Sequence, residues 1–277
     1  MLLTFSHSGN IGDLLASLYY CKAVVEEYGE KESNFICILN VPAKYSPNLC
    51  VGPHPCGNYR MTESTVKMVI PILKRMPFIK DVTVVTYDEY KKMNTEHHIK
   101  LDLFRTFLPN FSSGSITRWY ESIGIPLETD IKDYLSLLTV KPNFKHHGKI
   151  ILTHSKRYFT YYDPVPVFSK FREDLVFIGL PEEYEYMCQA LKYKIVYQPI
   201  IDFYDALEYI SGAKVFVSNQ TGLFHAVQLI LHPRILLPCN VCPNVLPSGF
   251  GGHTAYSATH LEKLIRIYYK FNEQEEK

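Results

Sequence analysis

Residues 214–226 read KVFVSNQTGLFHA. This is a short apolar run from Val215 to Ser218, a polar turn of Asn219, Gln220, Thr221 and Gly222, and a helical pattern beginning near Leu223. A short apolar run bounded by turn residues reads as a buried strand. A strand that passes through a tight turn into a helix aims several free backbone N–H groups at one point, which is how a helix N-terminus holds phosphate. Gly222 lets the backbone come close to a ligand, and Thr221 can cap the helix or hydrogen-bond an anion. An ordinary capped strand-to-helix turn would carry the same residues, so this segment constrains the fold before it says anything about ligands.

A second turn of the same kind opens the chain. Residues 2–6 form a short apolar strand, HSGNIGD (7–13) follows with glycines at 9 and 12, and Leu14, Leu18, Cys21 and Val25 then make one helical stripe up to a stop at Gly29. Phe35 to Leu39 is the next strand. Residues 40–60 read as a long loop, of the kind that is often functional. A helix is expected from Thr62 to about Ile70, interrupted by Pro71. Val82 to Val85 is a strand, and Ile116 to Ile123 a helix ending at Gly124. The polar stretch 141–149 reads as a linker. Beyond it come strands at 149–153, 175–178, 194–197 and 215–218 with a last one at 234–237. Helices fall at 182–191, 203–210 and 257–271, before a polar tail.

Strands alternating with helices argue for parallel sheets covered on both faces, and 277 residues suffice for about two domains. The expected fold class is therefore α/β, with two facing Rossmann-like, doubly wound domains. The first covers 1–143 and the second 149–256, with a terminal helix and tail at 257–277. Ligands of such sheets bind outside the carboxyl ends of the strands, where both glycine turns fall, so the cleft between the domains is the expected site.

Composition narrows the partners. A net charge of +1 gives no general attraction to nucleic acid or an anionic membrane. No apolar run reaches the length of a membrane span, and the N-terminus lacks the basic flank and apolar core of a signal peptide. Peripheral membrane contact remains open. Seven cysteines, an odd number with several inside apolar runs such as that around Cys37, fit a reducing, cytoplasmic compartment.

The chemistry-bearing candidates follow from these positions. Asp13 is either the N-cap of a helix starting at Leu14 or, facing the cleft, a general base for a hydroxyl. Lys156 and Arg157 follow a strand end and suit a diphosphate, or are solvated loop charges. His225, a turn into its helix, can meet a phosphate or sugar, or be a satisfied core histidine. Glu182, Glu183 and Glu185 open a helix and complement its dipole, and one of them can hold a ribose hydroxyl. Cys239 and Cys242, with Cys50, His54, Cys56 and His253, could be assembled into a zinc site, but a single C-x-x-C is weak support. No G-x-S-x-G, P-loop or H-E-x-x-H motif is present.

Taken together, Gly12-Asp13 after the first strand and SNQTGLFH (218–225) after a late one resemble the bacterial ADP-heptose:lipopolysaccharide heptosyltransferase family. The likeness extends through DALEYISGAKVFVS (205–218) and FIGLPEE (177–183). The resemblance implies the GT-B architecture, with Asp13 as catalytic base and donor contacts from Gly12, Lys156, Arg157, Glu183, Gln220, Thr221, Gly222 and His225. Gln220 stands where that family has an acidic residue. It further implies a terminal helix that packs back on the N-terminal domain. The activity implied is inverting, metal-independent transfer of a sugar from a nucleotide-diphosphate sugar, a co-substrate rather than a cofactor, to a glycan or other hydroxyl acceptor. The alternatives are a non-catalytic nucleotide or glycan sensor, which Gln220 favours, and a sugar-nucleotide epimerase on the same scaffold.

Overall fold

The computed structural model describes residues 2–43, 54, 56–107, 114–124, 126 and 136–275. Two separate parallel sheets organise them. The first runs β3-β2-β1-β4, with β1 Leu3–His7, β2 Ser33–Leu39, β3 Ile79–Thr86 and β4 His98–Lys100. In its register Phe5 lies opposite both Phe35 and Ile99. The second runs β10-β9-β8-β5-β6-β7. Its strands are β5 Ile150–Thr153, β6 Leu175–Phe177, β7 Val196–Tyr197, β8 Val215–Ser218, β9 Arg234–Leu236 and β10 Gly252–Thr254.

Each sheet has one place where the chain reverses its direction of winding. In the first it lies between β1 and β4, and in the second between β5 and β8. Loops leaving the carboxyl ends of two such strands diverge and open a crevice. Both glycine turns therefore sit at the switch point of their own sheet.

Strand side chains alternate between two apolar layers. Ile151, Val176, Phe216 and Leu236 face the layer that also holds Phe5, Leu14, Phe35, Phe224 and Val227, so one core runs from sheet to sheet. Ile150, Leu152, Val215, Val217 and Ile235 face a second layer on the other side. That second layer contains Leu261, Leu264 and Ile265 of the helix Ala258–Glu275. Lys170 pairs with Glu262, and Lys214 lies over the Tyr269 ring. Through these residues the helix packs on its own C-terminal sheet, whereas the resemblance implied packing on the N-terminal domain. The reason is its apolar face, which covers the outer side of β5 and β8.

The two halves are held by direct packing. The helix Ile11–Ala16 lies on Gly222–Gln228, Tyr19 Oη donates to Gln228 O at 2.9 Å, and the Arg75 guanidinium sits 4.0 Å over the Tyr204 ring.

Four local readings change. The helix Glu63–Leu73 continues through Pro71 and ends two residues later. The first helix breaks into Ile11–Ala16 and Leu18–Glu27 at Ser17, whose Oγ donates back to Leu14 O at 2.7 Å, a bond that bends helices. The α-helix at Ile116–Trp119 tightens to 3₁₀ geometry over Tyr120–Ile123. Arg234–Leu236 is not the last strand, since β10 pairs beside it.

Candidate active site at the junction of the two sheets

The chain leaves β1 at His7 and is helical from Ile11, with Asn10 as N-cap and its carbonyl accepting the Leu14 N–H at 2.9 Å. Asp13 is therefore not the N-cap; it lies in the first helical turn, one turn earlier than the apolar stripe suggests. Gly12 beside it faces the other sheet's turn. A Cβ placed on Gly12 would stand 3.3 Å from His225 Cδ2 and 3.6 Å from Gly222 Cα, and one placed on Gly222 would stand 3.1 Å from Ile11 Cγ1. The two turns meet through their glycines, which is the use of a residue without a side chain.

Asp13 is surrounded by groups that pattern reading does not find. Its Oδ2 accepts from Arg105 Nη2, and Arg105 Nε lies 3.6 Å from Asp102 Oδ1. The Ser8 N–H donates to Asp102 Oδ2 at 2.5 Å, and Arg60 approaches the same carboxylate at 3.6 Å. The Asp13 carbonyl accepts from Tyr120 Oη at 2.7 Å. His7 completes this side: its Nδ1 accepts the Gly9 N–H at 2.8 Å, so the neutral ring carries its proton on Nε2, 2.9 Å from Tyr120 Oη. Burial lowers the His7 pKa, with Asp102 and Asp13 acting against it, in keeping with a neutral ring. Arg105 and Asp102 escape sequence reading because β4 is only three residues long and polar, and no glycine turn follows it.

On the other sheet the polar turn is a brace. The Asn219 side chain accepts the Ser155 N–H at 2.9 Å and donates to Ser155 O at 2.7 Å, tying the loop after β5 to the turn after β8. Gln220 is buried; its Nε2 donates to Cys242 O at 2.9 Å and Asn244 Oδ1 at 2.8 Å, while its Oε1 accepts the Cys239 N–H at 2.8 Å. This amide holds the loop 239–244, so its capacity is spent inside the protein. Thr221 caps the helix Gly222–Gln228, its Oγ1 accepting from the Phe224 N–H at 3.2 Å, and its own N–H goes to Asn219 O. The first-turn amides without an intrahelical partner are then those of Gly222 and Leu223.

His225 is buried against Gly12, and burial lowers its pKa to about 4, with the Asp13 charge acting the other way. Its Nδ1 is buried with no hydrogen-bond partner among the described residues. Arg157 is partly buried over the Tyr158 ring, 5.2 Å from its centroid, and its charge adds to burial in lowering the His54 pKa to about 4. His54 belongs to the N-terminal half, so Arg157 faces across the junction. Lys156 points elsewhere. Exposed over the Tyr186 ring, it lines a cavity of about 300 Å³ with His154, Phe159 and Asp163, and neither Asp13 nor His225 is part of that lining. Glu183 is half-buried and accepts from the Leu180 N–H at 3.4 Å; burial raises its pKa.

Cys56, Cys239 and Cys242 are buried. Among the described residues no three His, Cys, Asp or Glu side chains gather as a metal site, and Cys50 lies outside those residues. No described helix is long and apolar enough to cross a membrane.

No protein-family model matches the chain, and no curated protein matches its sequence. Solved structures do match its shape. Escherichia coli ADP-heptose lps heptosyltransferase II superposes with a TM-score of 0.61 at 11% identity, over 99% of this chain and 100% of that one. A family 9 glycosyl transferase from Veillonella parvula gives 0.59 at 10% identity, over 96% and 88%. Heptosyltransferase WaaC of E. coli, with ADP-2-deoxy-2-fluoro heptose, gives 0.55 at 12% identity, over 98% and 100%. With two parallel-stranded sheets meeting at their switch points, the chain has the GT-B fold of these glycosyltransferase structures.

Proposed function

We propose that this protein is an inverting glycosyltransferase that takes its sugar from a nucleotide-diphosphate donor, with ADP-heptose as the first donor to test. The observation that carries the reading is the meeting of Gly12, the neighbour of Asp13, with the Gly222 turn, each at the switch point of its own sheet. Asp13 takes the proton of an acceptor hydroxyl. The acceptor oxygen attacks the anomeric carbon from the side opposite the diphosphate, the anomeric C–O bond breaks, and its electron pair leaves with the nucleoside diphosphate. The N–H groups of Gly222 and Leu223, with Arg157 and His225, stabilise the departing charge, and fixed dipoles of this kind are usually the largest catalytic term. Glu183 receives the donor's ribose, Lys156 adds positive field from the flank, and Gln220 and Thr221 support the donor by shaping the turn. No step is routed through a metal. The GT-B shape and the ADP-heptose analogue carried by WaaC support the choice of donor class.

The second reading is a nucleotide-sugar sensor. It is favoured by the inward commitment of Gln220. Thermal shift and ADP release with ADP-D-β-D-heptose separate the two. Donor at 100 times its Kd stabilises by about 2.7 kcal/mol. Stabilisation with ADP release supports the transferase, stabilisation without release to any offered acceptor supports the sensor, and no stabilisation at millimolar donor removes the ADP-sugar assignment.

A further inference from the structure

We infer that Asp13 is held by a two-sided clamp, in which Arg105 fixes its carboxylate and Tyr120 its main chain. Arg105 and Tyr120 are thus positioning residues of the reaction; this rests on the reading of Asp13 as the base. Each half of the clamp is itself anchored. Arg105 spans Asp13 and Asp102, and Asp102 is fixed in turn by the Ser8 N–H at 2.5 Å and by Arg60 at 3.6 Å. Tyr120 is fully buried and edge-on to Phe104, with ring centroids 4.8 Å apart. Its hydroxyl receives the His7 Nε2 proton and passes its own hydrogen to the Asp13 carbonyl, so donors and acceptors along Gly9, His7, Tyr120 and Asp13 run in one direction.

Sequence separation shows why such a device is needed. Asp13 lies 92 residues from Arg105 and 107 from Tyr120, and its own helix is only six residues long. A helix so short has little rigidity of its own. The neighbouring elements therefore set where the carboxylate points. The Asp13 side chain is 16% exposed and that of Arg105 25%, so both are largely screened from bulk water and hold a defined geometry. Arg105 Nη2 bonds Oδ2 and so sets the direction of the carboxylate that receives the acceptor proton. Arginine suits this use because its planar fork fixes direction, whereas lysine would supply charge alone.

The test is a double-mutant cycle on ADP release from ADP-D-β-D-heptose in the presence of a hydroxyl acceptor, using the full chain. The variants are Arg105→Gln, Arg105→Lys, Tyr120→Phe, Asp13→Asn and Asp13→Asn combined with Arg105→Gln, with ADP affinity measured on each. Arg105→Gln is expected to lower kcat about 10²-fold, the cost of misplacing a reacting group by about an ångström. KM for the donor and Kd for ADP should hold. Arg105→Lys should recover part of the loss, and Arg105→Gln should cost nothing more once Asp13 is Asn, because it acts through that residue. A full Arg105→Gln penalty in the Asp13→Asn background, or wild-type kcat in Arg105→Gln, overturns the clamp. Wild-type activity in Asp13→Asn instead overturns the base. Tyr120→Phe removes a hydroxyl while keeping the ring, so a kcat loss at an unchanged melting temperature supports positioning, and loss of stability alone contradicts it.

Discussion

Gly12 and His225 lie in helices that follow strands of different sheets, yet a Cβ on Gly12 would stand only 3.3 Å from the imidazole Cδ2. This contact brings the two turns together. Valine at position 12 would drive branched methyl groups into a buried ring. Overpacking of this kind costs about 1–3 kcal/mol. Gly12→Val should therefore lower stability in urea by that amount, whereas Gly12→Ala gains helix propensity and has only to displace the ring slightly. Equal stability for valine and glycine would mean that the turns do not touch.

Gln220 makes a different kind of claim. Removing its amide leaves the buried Cys239 N–H without its acceptor and takes one of two donors from the Cys242 carbonyl, which keeps the Asn244 N–H, and an unsatisfied buried group costs about 1–3 kcal/mol. Gln220→Ala should lose that stability. Gln220→Glu should lose it as well, since a carboxylate cannot donate to Cys242 O. Denaturant curves for both variants check this, and a Gln220→Glu protein as stable as the parent would show that the amide donors are not needed.

Acid should act through the buried imidazoles. Burial lowers His225 and His154 to about 4 and His232 to about 3, all below the ordinary 6.5. A folded-state value below the unfolded one gives stability that is complete above pH 6.5 and lost as pH falls from there toward 4, because the unfolded chain binds the protons first. Each such histidine contributes a few kcal/mol at most. Unfolding free energies at pH 7.5 and 4.5 should differ by several kcal/mol, and His225→Gln should narrow the gap. A flat profile between these values would mean the rings are not buried as neutral groups.

Much of this was legible in the residues. Apolar runs at 150–153 and 215–218 and the turn at 219–222 place β5, β8 and the helix behind them, because buried parallel strands and glycine turns are local signals. Asp13 and the Gly222 turn could be named, but the helix start at Ile11 could not, since it depends on Asn10 capping a turn that Gly12 leaves open for the facing sheet. Arg105, Asp102, His7 and Tyr120 were not legible. Their meaning comes from β4 pairing beside β1 and from contacts across about a hundred residues, which no periodicity encodes. Gln220 was named as a donor contact only through the family resemblance; its three bonds to the loop 239–244, which make it a brace, span about twenty residues and follow no local pattern. The terminal helix could be read as amphipathic, but its apolar face specifies burial and not against which sheet.

The central claim is that Asp13 takes a proton, and replacing it with Asn tests that most directly. Asparagine keeps the size and loses proton acceptance along with the ion pair to Arg105, so its melting temperature must be measured beside its activity. With ADP-D-β-D-heptose and a hydroxyl acceptor, transfer by Asp13→Asn should fall about 10²–10⁴-fold, the range for general-base catalysis, while ADP affinity stays within a factor of about two. Transfer at the wild-type rate by a folded Asp13→Asn protein would contradict the account.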